Sequence, residues 1–236
     1  MRIIPVIDVM SGVAVRAVAG RRAEYRPLVS RLTPSTNPRE VAEAFRRHLG
    51  LTEVYVADLD AIAGAEPAWG LFAGLRDRGF RLWVDAGIRT AADAVRLATA
   101  GVEVAVVGLE TVRGPDDLRT VVSTLGAERV AFSLDMMGGR LLGNSALGDS
   151  PEAVAAAVVT CGVRRLILLD LARVGVASGT GTEALLAKLV SKHPDVEFVA
   201  GGGVRGREDL RTLEKAGAVA ALVASTLHDA IPLNNV

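Results

Sequence analysis

Residues 83–107 read WVDAGIRTAADAVRLATAGVEVAVV, and residues 198–223 read FVAGGGVRGREDLRTLEKAGAVAALV. Each holds an apolar run, a glycine-bearing turn, an amphipathic stretch at helical spacing, a glycine stop and a second apolar run. That order describes a strand–helix–strand unit. The two align without a gap once the second sheds its first residue. Gly87, Ile88 and Arg89 then fall on Gly203, Val204 and Arg205, Asp93 on Asp209, Gly101 on Gly217, and Ala105 on Ala221. Repetition at this level points to a barrel made of two related halves.

Outward from these units, eight strand-like apolar runs centre near Pro5, Tyr55, Trp83, Ala105, Ala131, Ile167, Phe198 and Ala221. Helical periodicity fills most of the gaps. Asn37 before Pro38 predicts an N-cap and first helical residue, and Ser150 before Pro151 predicts a second helix start. Gly101 and Gly217 predict helix ends. The alternation predicts an α/β fold: one eight-stranded β/α (TIM) barrel over residues 1–236, with a half-barrel repeat.

Half of the 236 residues are hydrophobic, which suffices for a full core, and the formal net charge is zero. Zero net charge argues against nucleic acid or an anionic membrane as partner. The single Cys161 excludes an internal disulfide framework, and no run of about 20 apolar residues suits a membrane span. With no leader pattern ahead of the first strand, the expected location is cytoplasmic. His48, His193 and His228 show no metal-ligand spacing, so no metal is implied. The sequence leaves the oligomeric state open.

Five apolar runs lead straight into an aspartate: Asp8, Asp58, Asp85, Asp135 and Asp170. C-terminal strand ends converge on the active face of a barrel, and carboxylates there add little to packing. Asp8 and Asp135, four strands apart, are the candidate acid–base pair. Asp58 and Asp60 read better as loop anchors that accept backbone N–H bonds; Asp170 fits either role. Gly201, Gly202 and Gly203, with Ser225 and Thr226 after the eighth strand, are the candidate phosphate site. The equivalent place in the first half carries Asp85, Gly87 and Arg89, with Gly108 and Glu110 after the fourth strand. Two acids there oppose a second phosphate unless Arg89 pairs with Asp85, so this is either an altered substrate site or a structural ion pair. Arg16, Arg21, Arg22, Arg26 and Arg31 make the long first connection basic; it reads as a mobile lid over an anionic substrate or as a solvated loop.

IPVIDVMSGVAVR at the start, Asn37-Pro38, VADLD (56–60), FSLD (132–135) with Gly138-Gly139-Arg140, and AGGGVRG (200–206) resemble the HisA/HisF barrels of histidine biosynthesis over essentially the whole chain. IPVID and FSLD stand nearer to the HisA (ProFAR isomerase) branch than to the HisF cyclase. The resemblance implies an Amadori aldose–ketose rearrangement of a ligand with two phosphates, with Asp8 as general base and Asp135 as general acid. Both steps are proton transfers, so no cofactor is required. The chain departs from that pattern in several places. Asp85 and Ala86 replace a glycine cluster, and Gly108-Leu109-Glu110 replaces a Gly-Thr pair. Asn144 and Ser145 stand where a stacking tryptophan is expected near Gly143. Leu169 replaces a threonine, and Arg173-Val174-Gly175 replaces Arg-Asp-Gly. The expected function is therefore acid–base isomerisation of a phosphorylated sugar or amino-sugar, with ProFAR as one possible substrate. The alternatives are a different phosphosugar reaction (elimination or condensation) on the same aspartates, and a non-catalytic ligand-binding barrel.

Overall fold

Eight parallel strands close on themselves in the computed structural model, which describes residues 1–143, 145–176 and 178–229. They are β1 (Arg2–Met10), β2 (Glu53–Asp58), β3 (Arg81–Asp85), β4 (Val104–Gly108), β5 (Val130–Met137), β6 (Arg165–Asp170), β7 (Glu197–Gly201) and β8 (Ala220–Val223). Each pairs with the next in chain order, and β8 returns to β1 through Arg2–Pro5 against Ala220–Val223. Every strand centre expected from the sequence lies within one of these strands. The barrel reading holds.

The outer helices include α1 (Pro38–Leu49), α2 (Trp69–Arg76), α3 (Ala91–Thr99), α4 (Pro115–Leu125), α5 (Pro151–Thr160), α6 (Glu183–Lys192) and α7 (Arg207–Lys215), followed by the short α8 (Ser225–His228). Their starts follow local chemistry. Asn37 accepts the Arg39 N–H at 3.0 Å, Ser150 accepts the Ala153 N–H at 3.2 Å, and Thr90 with Asp93 forms a capping box on α3. Such caps satisfy donors that the first helical turn otherwise leaves without partners. No helix among the described residues is long and apolar enough to cross a membrane.

Strand alternation divides the core in two. Ile4, Tyr55, Trp83, Val104, Val106, Ala131, Ile167, Val199 and Leu222 fill the barrel interior. Ile7, Val54, Phe132, Leu168 and Phe198 face outward onto Phe45, Phe72, Leu97 and Leu213 of the helices. The half-barrel repeat is visible in detail. Asp93 accepts the Arg89 N–H at 3.2 Å, and its counterpart Asp209 accepts the Arg205 N–H at 2.8 Å. Gly87 and Gly203 share a left-handed backbone, with φ of +67° and +78°. The first and fifth strands both run on into antiparallel hairpins, β1 with Val13–Arg16 and β5 with Arg140–Leu141. For that reason Asp8 and Asp135 do not end their strands, as the sequence suggested; two further residues follow each.

Candidate active site

The same alternation sorts the five strand-end aspartates. Asp8 follows Ile4 and Val6 on the inward face, Asp85 follows Trp83, and Asp135 follows Ala131 and Ser133. Asp58 and Asp170 have the opposite parity and turn outward. Asp58 accepts the N–H groups of Ala61 (3.2 Å) and Ala68 (2.8 Å). Asp170 accepts those of Gly138 (2.8 Å), Gly139 (2.9 Å) and Ala172 (3.1 Å). Asp60 accepts the Ser11 N–H at 2.6 Å. Asp60 and Asp170 thus hold the tips of the two hairpins, and Asp170 does not line the cavity at the C-terminal end of the barrel.

A cavity of about 380 Å³ opens at the C-terminal end of the barrel, lined by Asp8, Asp85, Glu110 and Asp135 and by Tyr25 and Tyr55. Small residues keep the acids apart. Ala57 sits in register between Asp8 on one side and Asp85 on the other. A side chain beginning at Gly108 would meet Asp85 Oδ2 at 3.6 Å and Asp135 Oδ2 at 3.9 Å, so glycine leaves both oxygens facing one space. Asp85 Oδ1 accepts the Gly87 N–H at 3.0 Å, and Asp135 Oδ1 accepts the Ser133 hydroxyl at 2.6 Å. Burial disfavours the charged forms. It pushes the Asp8 and Asp85 carboxyls up to about 7 and that of Asp135 to about 6. Neighbouring acids add to the rise at Asp85 and Asp135, against the hydrogen bonds from Gly87 and Ser133. Burial, then the four nearby carboxylates, raises the Tyr55 hydroxyl well above its ordinary value.

Across the mouth, Gly202, Gly203, Ser225 and Thr226 line the same cavity. Among the described residues their backbone N–H groups make no hydrogen bond within the chain. The Thr226 hydroxyl is engaged with the Val204 carbonyl, which leaves Thr226 its amide as donor. Gly201 belongs to β7 and lies behind the cavity wall, where an added Cβ would press on Leu222 Cβ at 2.9 Å. At Gly203 an added Cβ would stand 2.6 Å from the Gly179 carbonyl oxygen and 2.9 Å from that of Arg173. With a left-handed φ as well, Gly203→Ala must displace the turn. The expected result is a loss of about 1 to 3 kcal/mol of stability, with weaker inorganic phosphate binding by calorimetry. Unchanged phosphate affinity would separate the turn from anion recognition.

One expectation for the first half needs correction. Arg89 does not pair with Asp85: its guanidinium donates to the Gly87 carbonyl at 2.9 Å and the Ile62 carbonyl at 2.9 Å. The left-handed turn at Gly87 carries Arg89 away from the mouth, and neither residue lines the cavity. Most arginines of the basic first connection have partners in the structure. Arg16 grips Asp229 through two bonds of 2.9 and 2.8 Å, Arg21 pairs with Glu24 at 3.2 Å, and Arg26 donates to the carbonyls of Ala23 and Tyr25. Arg22 reaches Glu110 at 3.3 Å, with both side chains largely in solvent, so the pair is weak. Sequence reasoning missed Tyr25, Tyr55, Arg205 and Asp229 as neighbours of the cavity. The inward parity of Tyr55 on β2 was the available signal. Asn144, one of the two positions at the expected tryptophan, lies outside the described residues.

The profile of the histidine biosynthesis protein family matches residues 2–231. An uncharacterized protein of Methanocaldococcus jannaschii is 31% identical, over 98% of this chain and 95% of its own. A ProFAR isomerase of Deinococcus radiodurans, an imidazole-4-carboxamide isomerase whose full name carries two phosphoribosyl groups, is 31% identical over 97% of this chain and 94% of its own. Its counterpart from Halothermothrix orenii is 27% identical over 97% and 95%.

Proposed function

The chain belongs to the histidine biosynthesis protein family, and from that premise we propose that it is an aldose–ketose isomerase of the Amadori type acting on a phosphorylated sugar or amino-sugar. One observation carries the reading: Asp8 and Asp135 face a single cavity with proton affinities near neutrality, opposite unpaired backbone amides at Gly202, Gly203, Ser225 and Thr226. The amides hold the phosphate and fix the sugar. Asp135 gives a proton to the ring oxygen and opens the ring. Asp8 then removes the proton from the carbon beside the resulting imine or carbonyl, and the double bond shifts. Reprotonation completes the aldose-to-ketose change without a cofactor. Such chemistry suits a soluble protein of the cytoplasm.

The base must be ionised and the acid protonated. With Asp8 near 7 and Asp135 near 6, only the minority of molecules that carry the proton on Asp135 and not on Asp8 is active, and this fraction climbs up to about pH 6 and declines above about pH 7. The expected kcat/KM profile is a narrow bell with limbs near pH 6 and 7. A flat profile from pH 5 to 8 would remove these two groups from the chemistry.

The test is incubation in heavy water with ProFAR, aldose phosphates and amino-aldose phosphates. An isomerase places solvent deuterium on the carbon next to the carbonyl, and Asp8→Asn abolishes it. Loss of water or phosphate from the substrate would instead favour elimination. Binding without any exchange would favour a ligand-binding barrel. Growth rescue of a histidine auxotroph lacking the isomerase decides whether ProFAR is the natural substrate.

A further inference from the structure

The two ends of the cavity are chemically opposite. At the β7–β8 end stand the free amides of Gly202, Gly203, Ser225 and Thr226, with Arg205 and Arg16 beside them. At the β3–β4 end stand Asp85 and Glu110, flanked by Asp8 and Asp135. One guanidinium, that of Arg22, comes to this end; it makes an exposed pair with Glu110, and its charge partly offsets the rise at Asp85. Arg89, the other cation available from the first half, is committed to backbone carbonyls.

A second observation points to a ligand at this end. Tyr55 is 5% exposed and lines the cavity, and among the described residues its hydroxyl has no hydrogen-bond partner. That hydroxyl lies within electrostatic reach of all four carboxylates. A hydroxyl open to the cavity with no partner in the chain, next to carboxylate oxygens that have spare lone pairs, leaves room for a guest that brings donors. Among the described residues no three of these acids are placed to hold a metal ion.

We infer that the β3–β4 end of the cavity is a subsite for a protonated amino group, so that the substrate is a phosphate monoester bearing an amine at its far end rather than a bisphosphate. An ammonium offers three donors in place of a phosphate's acceptors. It would be shared by the Asp85 and Glu110 carboxylates and the Tyr55 hydroxyl, which line the same cavity, where a phosphate dianion would meet several carboxylates against the one Arg22 guanidinium. Asp85→Gly with Glu110→Thr would undo this and favour a bisphosphate.

The inference rests on the phosphate reading of the Gly202–Gly203 end, and the experiment keeps the two apart. Calorimetry would compare inorganic phosphate, simple alkylamines and their matching alcohols. It would also compare alkyl phosphates of four to eight carbons ending in an amine, a hydroxyl or a second phosphate. The expected order is amine tighter than hydroxyl by tenfold or more, with the bisphosphate weakest. Asp85→Asn with Glu110→Gln should erase the amine preference and leave inorganic phosphate affinity unchanged. Tyr55→Phe should reduce the preference while the protein stays folded by circular dichroism. Phosphate binding with no preference for the amine, or a bisphosphate that binds as well as the amine, overturns the inference and leaves the phosphate reading standing. An amine preference without phosphate binding overturns the phosphate reading and leaves the acidic subsite standing.

Discussion

Asp8→Asn is expected to lower turnover by about 100- to 10,000-fold, and Asp135→Asn by a similar factor, the usual effect of losing one partner in general acid–base catalysis. Asparagine has nearly the same shape and cannot exchange a proton. Neither replacement disturbs the barrel: Asp8 makes no ladder contact through its side chain, and an amide at position 135 can still accept the Ser133 hydroxyl. The two variants should differ in one respect. With a substrate whose ring is already open, Asp135→Asn should recover part of its rate, because the acid is needed first for ring opening. Asp8→Asn should not recover. Near-normal turnover in either variant would sink the role given to that residue.

Asp85→Asn is expected to stabilise the protein by about 2 to 4 kcal/mol at pH 8, the scale of a shift of roughly three pKa units at 1.36 kcal/mol each. The sign follows from proton linkage. Burial first, then Asp135 and Glu110, raises the folded-state value from 3.8 to about 7. The folded form therefore holds its proton more tightly than the unfolded chain does. The stability tied to Asp85 is fully present below about pH 4 and is lost as pH rises through 7. Asparagine keeps the acceptor for the Gly87 N–H and carries no charge. Urea titrations of both proteins at pH 4, 6 and 8 read the effect, with the gap widening across that range. An equal gap at all three values would mean that Asp85 is ionised without penalty. Asp8 and Asp135 are raised in the same direction, so the parent protein should also weaken between pH 4 and 7.

Barrel architecture was legible because it depends on pattern: apolar runs, helix caps such as Asn37-Pro38, and glycine stops recur at regular spacing. The half-barrel repeat was legible for the same reason, down to the matched Asp93 and Asp209. Ranking the strand-end aspartates required one more step, the inward or outward parity of each strand. Counting back from Asp170 through Leu169 and Ile167 puts it on the outward face, whereas Asp85, two residues after Trp83, points inward. The direction of Arg89 was not legible. Sequence proximity to Asp85 suggested a pair, but the left-handed turn at Gly87 and the nearby Ile62 carbonyl decide where the guanidinium goes. Tyr55 was hidden by its chemistry, since an aromatic in an apolar strand reads as core until the acids around its hydroxyl are known.

The closure of β8 on β1 joins Arg2–Pro5 to Ala220–Val223, segments separated by more than two hundred residues. On the ribosome, β1 must wait roughly 10 to 45 seconds for its partner, at common elongation rates of about 5 to 20 residues per second. During that interval one of its edges is open to any other nascent strand. Pro5 lies within the waiting stretch, with Val223 as its eventual neighbour. It has no N–H to offer a stranger, and Arg2 sets a charge at the strand's start. The proline that looks out of place in a central strand of the finished barrel is suited to an edge strand of the unfinished one.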